Sequence, residues 1–483
     1  MNAIEATTLF AVAGFFLYLV QRSPVVAFCL LSMLVGANGL FVDVGVSLSA
    51  SRLLIVAFLP WAILRLVSPG GAATLSGTGG ITISLLAYVL IVTAGSNAFF
   101  LPPIAGVHSD FREEYRWAIQ WVSFLNFLLP LLLAPLTLRT KEDGFQALRW
   151  FIYGTAALCA LALVQWLAAQ FFNVAIFGIA RGGVFGGEFQ SSFFVSGDRE
   201  IYRANGLARE PKDLAAIAAI ALVALALFGL PGIVSRMRVV VTSLLLCAGL
   251  LVTFATTGAV LVLLGAGVVL LGTRLRTKSG PKSFGIYSLL AVAMCLLLAS
   301  FLAADFWSRV IEERITTRLG GLEDYDQVAL DFLLDNPGAL VTGVGAGLLP
   351  YYASGYMPND PSLLEYMWNF TWDAKAGGLK WLTSFGLVGC LLGVLLLMQI
   401  FRILGRYLPR EGVLARRDAI LFLTYISTVN FIRASDEVYW VLAGILIAIS
   451  RGYGLARQPA KWLIEGERAA LYSRGATSNV QVR

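Results

Sequence analysis

The chain has 483 residues, of which 58% are hydrophobic and 13% charged, with one histidine and a formal net charge of +7. Soluble chains carry roughly 45–50% apolar and about 25% charged residues, so an ordinary water-soluble enzyme is excluded and a polytopic membrane protein is expected. A basic balance fits either nucleic acid or lipid headgroups, and the placement of the charges decides between them.

Crossing about 30 Å of hydrocarbon takes roughly 20 apolar residues in a helix. Runs of that kind lie near 3–21, 24–42, 52–68, 80–101, 117–138, 147–172, 213–233, 239–255, 257–273, 284–304, 377–401, 418–434 and 436–450. An all-α protein of about 12–14 transmembrane helices is therefore expected. The stretch 239–273 reads either as two tilted helices joined at Thr256, Thr257 and Gly258 or as one broken element. Glu5 before the first run and Arg22 after it are unlike a cleaved signal, and that run is read as a retained helix. The short loops alternate regularly in charge. Arg139 and Lys141, Arg236 and Arg238, Arg274 to Lys282, Arg402 to Arg417, and the tail from Arg451 all fall on one side, which the positive-inside rule makes cytoplasmic. The excess charge is thus topogenic, and no nucleic-acid partner is expected. The other side carries polar segments at 102–116, 173–212 and 305–376. The tail reads as a short interfacial helix around Trp462, Leu463 and Ile464 followed by a polar end. Absence of an internal repeat speaks against an inverted-repeat transporter.

Cys29, Cys159, Cys247, Cys295 and Cys390 are scattered through apolar runs without a CxxC pairing, and His108 stands alone. Neither a disulfide framework nor an imidazole metal site is expected. The outer segments hold the chemistry. In the first, Arg203-Ala-Asn-Gly-Leu-Ala-Arg-Glu-Pro-Lys-Asp213 leads into a span, with Pro211 and Asp213 marking a helix start and Glu210 just ahead of it. Glu210, beside Arg203 and Arg209, is either a candidate base at the membrane surface or a helix cap with surface ion pairs. In the second, Arg314 and Arg318 are four residues apart, on one helix face suited to a diphosphate or paired with Glu313 and its neighbours. Gly343, Gly345 and Gly347 permit tight turns whose amides face an anion, or permit close packing. Tyr351, Tyr352, Tyr356, Tyr366, Trp368, Phe370 and Trp372 form either an interfacial belt or stacking surfaces for sugar rings. Lys375 at the start of the next span is a further candidate site residue. Arg433, Asp436 and Glu437 form a third cluster, best read as mutually paired.

The order Arg203, Gly206, Glu210-Pro211, then Arg318, Asn336-Pro337, Gly343-Val344-Gly345-Ala346-Gly347 and Phe385-Gly386-Leu387-Val388-Gly389 resembles the O-antigen polymerase and O-antigen ligase superfamily over roughly residues 120–400. The resemblance implies a GT-C-like glycosyltransferase of the bacterial inner membrane with its site facing the periplasm. On that footing 1–304 is a transmembrane bundle with a periplasmic loop at 173–212, and 305–376 is a long, mostly helical periplasmic loop. Residues 377–450 are C-terminal transmembrane helices and 451–483 a cytoplasmic tail. The implied reaction is metal-independent, needs no cofactor, and transfers a glycan from undecaprenyl pyrophosphate with inversion. Its partners would be lipid-linked oligosaccharide donor and acceptor, membrane lipids, and a chain-length regulator protein. Glu210, Arg203 and Arg318 would be catalytic. Arg209, Arg314, Lys375, Gly343, Gly345, Tyr351 and Tyr352 would bind substrate. Ligases of the family carry a His-Asn pair where this chain has Lys375-Ala376, and Thr256-Thr257 replaces a Ser-Arg pair, so the repeat-unit polymerase branch is favoured. The alternatives are an O-antigen ligase acting on lipid A core and a transporter or flippase of lipid-linked sugars. The transporter predicts charge deep within spans, whereas here charge gathers at the outer interface.

Overall fold

Proline, serine and glycine set the boundaries at which the apolar runs become helices. The computed structural model describes residues 3–39, 41–43, 47–67, 79–96, 128–172, 174, 193–196, 199–208, 210–230, 235–274, 324–356, 374, 376–410, 414–432 and 436–457. Helix α1 (Ala3–Arg22) is followed by α2 (Pro24–Leu34), with Ser23 at the cap and Pro24 in the first turn, where a missing N–H costs nothing. Then come strands β1 (Phe41–Asp43) and β2 (Ser47–Ser49), α3 (Ala50–Val67), α4 (Gly79–Gly95), α5 (Leu128–Thr137) and α6 (Lys141–Phe172). Strands β3 (Phe193–Ser196) and β4 (Arg199–Tyr202) precede α7 (Pro211–Phe228), α8 (Arg236–Val252) and α9 (Thr256–Arg274). Short helices α10 (Asp324–Asp335), α11 (Pro337–Thr342) and α12 (Leu349–Ala353) lead to α13 (Gly377–Tyr407), α14 (Arg416–Ile432) and α15 (Asp436–Arg457).

The described chain is predominantly helical, and α3, α6, α7 and α13 are long and apolar enough to cross a membrane. Each expected span coincides with a helix except that near 284–304, which lies outside the described residues. The one near 117–138 is described from Leu128 onward. Two details correct the expectation. The run through 42 stops being helical after Leu34, and two antiparallel hairpins interrupt the all-α pattern, with Val42 opposite Leu48 and Phe194 opposite Ile201. Strands this short, rich in aromatic and β-branched residues, are invisible to a search for 20-residue apolar runs. The stretch 239–273 is two helices, joined at Thr253–Ala255, where Phe254 takes a left-handed φ of 45°.

Helix α7 is the centre of the bundle, packed against α6, α8, α9 and α14. Its apolar window is 89% buried, against 28% for α13, which therefore lies at the periphery. Alanines such as Ala215, Ala218 and Ala221 let neighbours approach its backbone closely. A Cβ on Gly258 of α9 would stand 2.8 Å from that of Ala215, and one on Gly265 would run into Val223. Tyr425 of α14 donates its hydroxyl to the Leu261 carbonyl at 2.9 Å, tying α14 to α9. Large apolar side chains point outward on many helices, among them Phe10, Leu64, Ile83, Ile91, Leu263, Leu391 and Val394.

Contacts between helix ends define two poles. At the upper pole the starts of α3 and α15 meet through Arg52 and Glu437, 2.7 Å apart, and the starts of α13 and α15 through Trp381 and Trp440. At the lower pole the Lys141 ammonium at the start of α6 lies 5.1 Å from the ring of Tyr453 near the end of α15. Arg22, Arg139, Arg238, Arg410, Arg416 and Arg417 belong to the lower pole. Glu437 takes Arg52 and the Ser51 hydroxyl as partners. Helix packing, not sequence proximity, brings them together; Arg433 lies outside the described residues.

Gly154 of α6 abuts α2, and a Cβ there would fall 2.8 Å from the Met33 carbonyl oxygen, whereas Gly267 of α9 has open space. Gly154→Leu should lower stability by about 1–3 kcal/mol through overpacking, read as an earlier thermal unfolding of the purified protein, while Gly267→Leu should leave it unchanged.

Candidate functional site

Residues 203–208 and 210 form irregular backbone lodged among helices at the upper pole, with Ala204, Asn205, Gly206 and Ala208 all buried. Buried backbone must be paired, and several of the ties are identifiable. The Ala204 N–H donates to Val252 O at 3.1 Å, and Arg203 Nε to Thr253 O at 3.2 Å, which uses carbonyls left over at the end of α8. Asn205 closes a local turn through Nδ2 to Ala208 O, and the Gly39 N–H donates to Leu207 O. Gly206 has φ of 61°, and a Cβ there would lie 2.7 Å from Leu158 O of α6. Gln165, buried within α6, donates from Nε2 to Gly206 O and accepts from Gly206 N, both at 2.9 Å. The hairpin β3–β4 leads into this segment and rests on the end of α6, where Tyr202 N reaches Gln170 Oε1.

Glu210 is the residue before α7, extended at φ −137° and ψ 153°, with no side-chain cap bond of its own. Its carboxylate lies 2.8 Å from Lys212 Nζ, both side chains about one-third exposed. The start of α7 thus presents a carboxylate, an ammonium and Asp213. An anchored Nε orients Arg203, whose guanidinium has five donors in a planar fork. Such a group at the positive end of a buried helix is suited to holding an anion, and Glu210 to accepting a proton.

The glycine turn is a clasp. Gly343, Gly345 and Gly347 have φ of 76°, 98° and 65°, and α13 itself is broken at Gly386, with φ 62° and ψ −171°. The break strips carbonyls of their helical partners, and Val344 N–H fills that of Thr383 at 2.9 Å and Gly345 N–H that of Ser384 at 2.8 Å. A Cβ on Gly343 would collide with Ser384 and Phe385 backbone, and one on Gly386 with Val341 and Gly343 backbone. Ala346 N bonds Thr93 Oγ1 of α4, and the Tyr88 hydroxyl lies 2.9 Å from Thr342 O and 3.2 Å from Phe385 O. The Phe385–Gly389 string therefore sits at the break inside α13 and opens its second part.

These contacts correct several expected roles. The amides of Val344, Gly345 and Ala346 are committed to protein acceptors, so the turn does not offer them to an anion, and close packing accounts for Gly343 and Gly345. Tyr351 is buried in a small core with Val328, Phe332 and Leu348, which denies its ring to a sugar. Tyr352 packs on Phe332 and donates its hydroxyl to Ser96 O at 2.8 Å, and burial pushes its pKa up. Asp326, buried in α10, accepts from Ala376 N at the start of α13. Arg209, Arg314, Arg318 and Lys375 lie outside the described residues, as do Tyr366, Trp368, Phe370 and Trp372. Of the expected site, Arg203 and Glu210 lie within the described residues, on one short segment that leads into α7. Gln165, Asn205, Tyr88 and Thr93 were missed. An uncharged polar residue inside an apolar run, as Gln165 is, was the available signal.

No protein-family model matches the chain, and a search of curated proteins finds no match.

Gly343→Ala and Gly386→Ala should each destabilise the protein by roughly 1–2 kcal/mol or more, since left-handed backbone and lost space act together. Gly338→Ala, in open space on α11, should not. Equal thermal unfolding of Gly338→Ala and Gly343→Ala would contradict the clasp.

Proposed function

We propose that the chain is a polytopic protein of the bacterial inner membrane, its upper pole toward the periplasm, and that it polymerises polysaccharide repeat units carried on undecaprenyl pyrophosphate. The membrane part of this reading is supported by the four long apolar helices, by the outward large apolar side chains, and by the basic residues collected at the lower pole. The catalytic part rests on one observation above all: a mostly buried segment, tied at Arg203, Ala204 and Gly206, that runs directly into Glu210 and the start of α7.

In this reading Arg203 and the positive end of α7 hold the departing diphosphate. Glu210 takes the proton of the acceptor hydroxyl as its oxygen bonds the anomeric carbon, and the bond to the diphosphate breaks with its electrons leaving on phosphate. The carbon inverts. Lys212 fixes the carboxylate rotamer and moves with Glu210 when the hydroxyl arrives. Arg209, Arg314, Arg318 and Lys375 are further cations proposed for the lipid diphosphate, carried by the resemblance described above, which also implies a metal-independent reaction.

Purified protein in nanodiscs, supplied with undecaprenyl-pyrophosphate-linked repeat unit, should yield a ladder of longer lipid-linked glycans. Arg203→Ala and Glu210→Gln should each lower the rate by about 10²-fold or more, and Arg203→Lys should not restore it, because an ammonium lacks the anchored planar fork. Transfer to lipid A core without a ladder would favour a ligase instead, and movement of lipid-linked sugar across a sealed bilayer without transfer would favour a flippase. On a cysteine-free background, Asp335→Cys should react with an impermeant maleimide added outside spheroplasts and Arg410→Cys should not; the reverse pattern would invert the proposed orientation.

A further inference from the structure

Gln165 is buried on the face of α6 that also carries buried Ala162 and Ala168, where an amide is expensive unless both of its ends are paired. Its carboxamide serves both polar groups of a single distant residue, giving a hydrogen bond to Gly206 O and taking one from Gly206 N. This is what an adjacent strand does for a peptide unit, here done by a side chain. Gly206 lies between Arg203 and Glu210, and its left-handed turn is pressed onto the Leu158 carbonyl. Other ties of the segment reach the end of α8, Gly39 and Asn205 itself. Gln165 is the side chain by which α6 grips the segment at its middle.

We propose that Gln165 is a positioning residue, whose carboxamide fixes the depth of Gly206 against α6 and so the placement of Arg203 and Glu210 for a polyprenyl diphosphate. The functional half of this proposal rests on the glycosyltransferase reading. The side-chain chemistry is restrictive. Leucine fills the volume but leaves the Gly206 N–H and carbonyl without the amide, an ionised glutamate can accept from the N–H but cannot donate to the carbonyl, and asparagine is one methylene short. A residue needed only to fill space between α6 and the segment would tolerate leucine.

The test compares wild type, Gln165→Leu and Gln165→Glu in nanodiscs by two independent readouts. Hydrogen exchange without ligand should rise in a peptide covering 203–208 for Gln165→Leu, less for Gln165→Glu, while a peptide covering 214–228 of α7 keeps its protection. Binding of undecaprenyl diphosphate should weaken roughly tenfold or more in Gln165→Leu, the size expected when buried polar groups lose their partners, with KM rising more than kcat falls. Unchanged exchange at 203–208 overturns the proposal. Faster exchange with affinity and turnover retained also overturns it, leaving Gln165 as a packing residue. Should Gln165→Leu fail to fold, Gln165→Glu carries the same comparison. Wild-type protein that binds no polyprenyl diphosphate overturns the glycosyltransferase reading, whereas the exchange rates judge the grip on Gly206 by themselves.

Discussion

Irregular backbone buried in an apolar bundle must find partners for its own N–H and carbonyl groups, and this constraint shapes both special regions of the protein. In a helix the pairing is automatic. Where the chain leaves the helix but stays covered, each orphan group costs on the order of 1–3 kcal/mol unless another element supplies a partner. The segment 203–208 and the break in α13 meet this demand by different means. The first borrows a side-chain amide from α6 and leftover carbonyls from α8. The second borrows backbone from a glycine turn.

The difference in means bears on what each region can do. A clasp of backbone on backbone, at Gly343 and Gly386, leaves no side chain to present and no room for one. It fastens the small core of α10 to α12 onto α13, with Thr93 and Tyr88 of α4 as a second attachment. A segment tied by side chains keeps its own side chains available for orientation. Arg203 is anchored through its Nε, and Glu210 stands at the start of the most buried of the four long apolar helices. Charge there is supported by a helix terminus and by neighbours of opposite sign, Lys212 among them, rather than by bulk water alone.

Much of this was legible in the sequence because apolar length and proline are local signals. The start of α7 at Pro211 with Glu210 ahead of it follows from the chain alone, as do the helix positions. What was illegible depends on contacts far apart in the chain. Glu437 finds Arg52 because α3 and α15 share an end, which no spacing announces. Tyr351 looks the same in sequence whether it lines a surface or fills a core, and only the packing of α10 against α12 decides it. The glycines of 343–347 were ambiguous for a deeper reason. Glycine permits both an anion nest and a close approach, and the choice lies in what stands opposite, here the broken backbone of α13.

The placement of the polar ties also explains how an apolar bundle can hold a chemically active end without losing cohesion. Across α7, alanine and glycine contacts carry the packing from Ala215 to Val223, and they are indifferent to what happens before Pro211. Polar bonds gather instead around the start of α7 and the starts of α3 and α13, where partial exposure limits their desolvation cost. Gln165 is a polar group carried into the apolar zone. Gly206 answers it with both a donor and an acceptor, which offsets its cost and couples the depth of the segment to the identity of that side chain.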